Sequence, residues 1–325
     1  MISGEGEHFT LTRFHGTPDE VEEQWLTARR FGIGGSDVAA IMGLSPWKSA
    51  YEVWAEKAHG VSEDISERPA VQWGNILEPV VGEHFKSLHP DFAVRRVNGM
   101  ASSLARPWAQ ASLDYEVNVP GRGWGVLEIK TAGLMSARHW EEGVPVFYAT
   151  QVAHYLSVTG RPYAYVAVLI GGQDYREYLV ERDEDDIAAV NAAVDAFWHD
   201  NVEADVAPEV TVGDGPTVLE VRGEATSDYE ELSETPTLLS RYRLAKVEFD
   251  HARSELDRWS SKLKEAVGDA KGWDTPDGRL TWRRYERSKF DAKAFDLDHP
   301  GLRDKYITKK MTDGGLQWRD AKEGE

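Results

Sequence analysis

Asp114, Glu128 and Lys130 are the side chains in this sequence whose types and spacing could do chemistry together. Glu128 and Lys130 lie two apart in the alternating run Gly125–Lys130, so on a strand both project from one face while Leu127 and Ile129 turn into the core. Asp114 closes Ser112–Asp114, and Pro120–Gly123 supplies a turn between the two runs. If the runs are adjacent strands, the two carboxylates converge on a hard-oxygen site of the kind that holds Mg²⁺ or Mn²⁺, with the Lys130 ammonium beside it. Such a set suits phosphodiester hydrolysis: the cation polarises a phosphoryl oxygen and acidifies a bound water, and the lysine orients that water or offsets charge. The bland alternative is a strand face carrying a Glu/Lys pair, and the spacing alone does not separate the two.

Other residues carry weaker signals. The loop Gly32–Ser36 lacks the Gly-Lys-Ser/Thr ending of a nucleoside-triphosphate loop. Ser36 before a helix can nevertheless offer its hydroxyl and the helix amides to an anion, with Arg29 or Arg30 adding charge; the alternative is a helix cap and a surface arginine. Trp47 can stack on a base, or pack in the core. The 10 histidines form no His-Glu-x-x-His pattern, so His154 is read as a packing or solvent-facing neighbour and not a zinc ligand.

These residues need elements to position them. Spacing predicts helices over Glu20–Phe31, Ser49–His59, Val71–Leu88 (with Pro79 near its first turn), Ala137–Glu142, Tyr148–Thr159, Asp183–Phe197 and Leu238–Val267. Alternation predicts strands over Phe92–Val97, Ala109–Val119 and Gly125–Lys130 as an antiparallel meander, then Ala164–Ile170, a run buried on both faces, partnered by Tyr175–Glu181. A further strand is expected over Gly278–Arg287, followed by a tail holding Pro300 and Gly314–Gly315.

With 325 residues, 41% hydrophobic, the chain can bury one sizeable core and carry an appendage. The absence of cysteine excludes disulfides, thiolate metal sites and cysteine nucleophiles, so any metal must sit on oxygen or histidine. No stretch reaches the roughly 20 apolar residues of a membrane span and the start MISGEGEHF lacks a secretory pattern, so a cytoplasmic location is expected. A net charge of −19 argues against a general nucleic-acid binder, but it is concentrated: between Glu181 and Ser240 only Arg182 and Arg222 are basic.

The strongest signal is a set of blocks in fixed order: Arg29–Asp37 (RRFGIGGSD), Gly43–Trp47 (GLSPW), Trp73–Pro79 (WGNILEP), Ser112–Asp114 (SLD), Leu127–Lys130 (LEIK), Tyr148–Tyr155 (YATQVAHY) and Glu181–Asp183 (ERD). With these the chain resembles the YqaJ-type viral recombinase family, relatives of phage lambda exonuclease in the PD-(D/E)xK nuclease superfamily, over most of its length. One departure is that Leu113-Asp114 stands where the superfamily name has Pro-Asp, which keeps the carboxylate. The resemblance implies a ligand set of Glu78, Asp114, Glu128 and the Ile129 carbonyl for Mg²⁺ or Mn²⁺, two ions in number. It further implies Lys130 for the water, Gln151 and Tyr155 for positioning water and phosphate, and Arg29, Arg30 and Ser36 for a DNA 5′-phosphate.

The fold expected is an α/β restriction-endonuclease-like core, a central mixed β-sheet flanked by helices, with a C-terminal helical and hairpin extension. Its divisions would be a nuclease core over residues 1–200, an acidic linker or cover over 201–235, and the extension over 236–325. By resemblance the function is a metal-dependent 5′-to-3′ exonuclease on double-stranded DNA ends in phage-type recombination within a bacterial host cell. A phage single-strand annealing protein would be its partner, and a homo-oligomer its assembly. The rivals are a structure-dependent endonuclease of the same family and a non-catalytic DNA-binding module holding a structural metal.

Overall fold

The computed structural model describes residues 5–224, 229, 232 and 235–307. They part into two compact units between Gly223 and Glu224. The first opens with a short strand, β1 (Phe9–Thr12), and helix α1 (Pro18–Arg29). Thr17 starts this helix with a capping box: its hydroxyl accepts the Glu20 N–H, and the Glu20 carboxylate accepts the Thr17 N–H at 2.7 Å. After the glycine turn come α2 (Gly35–Ile41) and α3 (Ala50–Trp54), the latter widening into a π turn over Ala55–His59 and stopping at Gly60 with φ 69°.

Helix α4 (Pro69–Leu88) corrects one expectation. Pro69 occupies the first turn, and Pro79 lies inside the helix, where it has no N–H to give the Asn75 carbonyl. The apolar positions Val81 and Phe85 hold the helix on the sheet regardless, and Gly82 lets it approach, because a Cβ there would lie 2.7 Å from the Tyr115 ring.

The strands that follow are β2 (Ala93–Arg96), β3 (Met100–Ser103), β4 (Gln110–Ser112), β5 (Tyr115–Val119) and β6 (Gly123–Ala132). The single strand expected over Ala109–Val119 is therefore two. β4 joins β1 and β3 in a small antiparallel sheet, while β5 pairs with β2 and β6 in the main one. Leu113 is buried and Asp114 turns its carboxylate onto the Ile129 N–H, so the chain changes sheets at this pair.

A 3₁₀ turn (Leu134–Trp140) and α5 (Val146–Thr159) carry the chain across to β7 (Tyr163–Ile170), which runs parallel to β6 with Glu128 opposite Val166 and Lys130 opposite Val168. β8 (Asp174–Glu181) returns antiparallel, giving the order β2-β5-β6-β7-β8 with β6 in the middle. The central mixed sheet flanked by helices is thus present. α6 (Glu184–Phe197) begins at Asp183, whose carboxylate accepts the N–H groups of Asp185 and Asp186. Part of the acidic stretch beyond it is folded: α7 (Gly215–Arg222) packs Val218 and Val221 against the cluster around Ile33, Trp54 and Phe197. Asp214 is buried at its start, accepting from Ser49 Oγ at 2.7 Å.

The second unit holds α8 (Thr237–Val267), the hairpin β9 (Gly272–Thr275) and β10 (Gly278–Thr281), and α9 (Ala292–Asp298) begun by the Asp291 side chain. The strand expected to reach Arg287 ends at Thr281. Gly314–Gly315 lie outside the described residues. No helix among the described residues is long and apolar enough to cross a membrane.

Candidate active site

On β6, Leu127 and Ile129 join the core formed with α4, and the alternate residues Glu128 and Lys130 leave the opposite face toward α5. There Lys130 Nζ donates to Glu128 Oε1 at 2.7 Å and to Gln151 Oε1 at 3.2 Å. Gln151 Nε2 donates to the same Glu128 oxygen at 2.7 Å and to the Tyr155 hydroxyl at 2.9 Å. Gln151 and Tyr155, four apart on α5, share a face. Asp114 reaches the site from the joint between sheets, its Oδ2 accepting the Ile129 N–H at 2.8 Å. Glu128 Oε2 is buried with no hydrogen-bond partner.

Asp114, Glu128 and Lys130 line a cleft of about 230 Å³ closed on the other side by Asn75 and Glu78 of α4 and extended past Ile129 to Thr131. Burial, then the Glu128 and Glu78 charges, push the Asp114 carboxyl well above the usual carboxylate range. Burial, with Glu78 adding to it, raises Glu128 although Lys130 and Gln151 oppose this. Burial works against the Lys130 ammonium, but the Glu128 and Asp114 carboxylates outweigh it and raise its pKa. Burial beside the same two acids lifts the Tyr155 phenol well above its ordinary value, so it stays protonated. The cleft has three carboxylates against one ammonium, and an orphan oxygen, in an all-oxygen donor set: these residues fit a hard divalent cation.

The fit requires one movement. Among the described residues no three acids or histidines are gathered closely enough to hold a metal as they stand. The Glu78 Oε1 accepts from Arg96 at 2.9 Å, a partner that competes with a cation for this carboxylate. Sequence gave no sign of that competitor, because β2 and α4 meet only in the folded chain.

Of the three residues grouped around an anion site, the structure brings two together. Arg29 donates to Ser36 Oγ at 3.0 Å and Asp37 Oδ1 at 2.9 Å. Arg30 points elsewhere, its guanidinium lying over Gly60. Beneath Ser36 is an ion cluster that spacing did not reveal: buried Asp37 meets Arg29, Lys57 at 3.0 Å and Lys48 at 3.5 Å, and Glu56 meets all three cations. Burial alone would raise the Asp37 carboxyl, but Lys57, Arg29 and Lys48 together hold it well below its usual range. Three cations on two carboxylates leave one positive charge at the start of α2. The same loop touches α5: a Cβ on Gly35 would lie 2.4 Å from Tyr155 Cε1 and 2.8 Å from Gln151 Cγ.

Trp47 is exposed, so it is not a core residue, and it lies against Phe147 and Tyr148 at the start of α5. His154 is fully buried, which removes the solvent-facing reading. Its Nε2–H is shared between the carbonyls of Gln110 at 2.9 Å and Ile33 at 3.1 Å, and burial lowers its pKa to about 4.

Comparison with known proteins puts this geometry in context. The chain is 29% identical over 293 residues, 87% of its own length and 90% of the other, to the uncharacterized protein YqaJ of Bacillus subtilis. A 67-residue stretch, 21% of this chain and 19% of the other, is 39% identical to protein D345L of African swine fever virus. An alkaline exonuclease crystal structure from Laribacter hongkongensis superposes with a TM-score of 0.47 at 23% identity, covering 57% of this chain and 94% of that one. Residues 24–162 match the model of the YqaJ-like viral recombinase domain. That stretch contains every side chain gathered around the cleft and the Arg29–Ser36 pair, so the site lies within the part of the chain that matches the YqaJ-like viral recombinase domain.

Proposed function

We propose that this protein is a divalent-metal-dependent deoxyribonuclease that acts as a 5′-to-3′ exonuclease on double-stranded DNA ends in phage-type recombination. The observation that carries it is Glu128 Oε2, a buried carboxylate oxygen without a partner, facing the same cleft as Asp114. Asp114, Glu128 and the Ile129 carbonyl, joined by Glu78 once it leaves Arg96, would hold Mg²⁺ or Mn²⁺ as two ions. Bound there, the cation supplies Lewis acidity at the phosphoryl oxygen and a lowered pKa for a bound water.

The rest of the reaction falls to the chain. Lys130 keeps its proton and aims it into the cleft, where it orients the attacking water and offsets charge gathering on the phosphate. Gln151 fixes Lys130 and Glu128 to one another, and Tyr155 holds Gln151 as a neutral phenol. Arg29 and Ser36 would receive the terminal 5′-phosphate, which supports an end-dependent enzyme. A single-strand annealing protein would then take the exposed 3′ strand.

End-labelled linear duplex and covalently closed circular DNA, each with Mg²⁺, test this. The linear substrate should release nucleotides from its 5′ ends while the circle survives. Cutting of the circle would make the protein an endonuclease, and no cutting of either with any divalent metal would end the nuclease reading.

A further inference from the structure

Trp47 is 65% exposed, an unusual place for the largest apolar side chain. It is nonetheless fixed. Ser45 Oγ accepts the N–H groups of Trp47 and Lys48, each at 3.2 Å, and the indole meets Phe147 edge-on at 4.8 Å and Tyr148 at 5.9 Å with the planes 34° apart. On one side, Tyr148 carries Lys130 Nζ 4.8 Å from its ring centre. On the other, the adjoining Lys48 is held by Asp37 and Glu56, the acids that also hold Arg29 beside Ser36. An exposed, immobilised indole thus neighbours two ammonium groups, that of Lys130 through the Tyr148 ring and that of the adjoining Lys48.

We infer that Trp47, backed by Phe147 and Tyr148, is a stacking step for one unpaired base of the strand being cut. The inference rests on the nuclease reading of the cleft. A rigid π-face with ammonium groups nearby suits an unpaired nucleotide, whose base stacks on an aromatic ring while its phosphates meet positive charge. A base inside a duplex has no free face, so the preferred substrate is a DNA end whose 5′ nucleotide is frayed or overhanging.

A cycle of four binding measurements tests it, using full-length protein in EDTA and a fluorescent duplex with one unpaired 5′-phosphorylated nucleotide that either carries its base or is abasic. Wild type should bind the base-bearing end on the order of tenfold more tightly than the abasic end. W47A should lose that preference while binding the abasic end as wild type does, and W47F should restore part of it. Equal weakening of both ends by W47A, or no preference in wild type, would overturn the step and leave the indole as a packing residue or a docking point for a protein. Because these measurements need no metal, the two readings fail separately. Cleavage without coupling between Trp47 and the base removes the step alone, and coupling without cleavage removes the nuclease.

Discussion

Asp114 and Glu128 hold their charges in a buried cleft at a cost, since burial and mutual repulsion raise both carboxyls. Removing one should therefore stabilise the metal-free protein while abolishing function. D114N is expected to raise the unfolding midpoint in EDTA by about 2–4 °C, what roughly 1 kcal/mol gives in a domain of this size, and to lack the further rise that saturating Mg²⁺ should produce in wild type. K130A is expected to keep the Mg²⁺-induced rise and lose on the order of 10²–10³-fold in turnover. The pair separates metal holding from water positioning by differential scanning fluorimetry and single-turnover cleavage. His154 sets a different dependence. Its folded pKa, about 4, lies below the ordinary 6.5, so the unfolded chain binds the extra proton between these values. Its contribution is present above pH 6.5 and is lost as pH falls toward 4, about 3 kcal/mol in all, and H154Q should flatten that slope in urea titrations. The alternation of Leu127, Glu128, Ile129 and Lys130 was legible because a strand has period two. The Arg96 hold on Glu78 was not, because it joins two elements whose meeting no spacing encodes.

At the scale of elements, the site depends on where α2 crosses α5. Gly35 occupies that crossing, and a methyl there would displace the Tyr155 ring and Gln151. G35A is expected to cost about 1–3 kcal/mol of stability through overpacking. It should also lower kcat with little change in KM for DNA, measured by steady-state cleavage. A loss confined to KM would mean that the loop serves binding and not the α5 face. The glycines of Gly32–Gly35 were read from sequence as a turn, whereas Gly35 already opens α2, and their closeness to α5 needed the fold. Long periodic helices were read well, as α4, α5, α6 and α8 show. The strand over Ala109–Val119 was not, because alternation continues unbroken across Leu113-Asp114 while the chain leaves one sheet for another. That break is what delivers Asp114 to Glu128. β1 and β3, 4 residues each, went unseen.

Over the whole molecule, the three clusters of buried apolar residues that enclose the site all lie between Phe9 and Val221. A chain ended after Gly223 is accordingly expected to unfold cooperatively by urea-monitored circular dichroism and to retain the Mg²⁺-induced stabilisation. The ordered blocks named Glu78, Asp114, Glu128 and Lys130, side chains that the fold brings to one cleft. Net charge was the poorest guide. A balance of −19 hides local groups of opposite sign, such as Arg29, Lys48 and Lys57 around Asp37. Such ion clusters escape sequence reading because a buried charge and a solvated one are written with the same letter. The central claim is a cation gathered by Glu78, Asp114 and Glu128, and anomalous diffraction from Mn²⁺-soaked crystals addresses it directly. The expected result is a peak about 2.2 Å from oxygens of all three carboxylates, with Arg96 released from Glu78; a peak elsewhere, or none at saturating Mn²⁺, would contradict it.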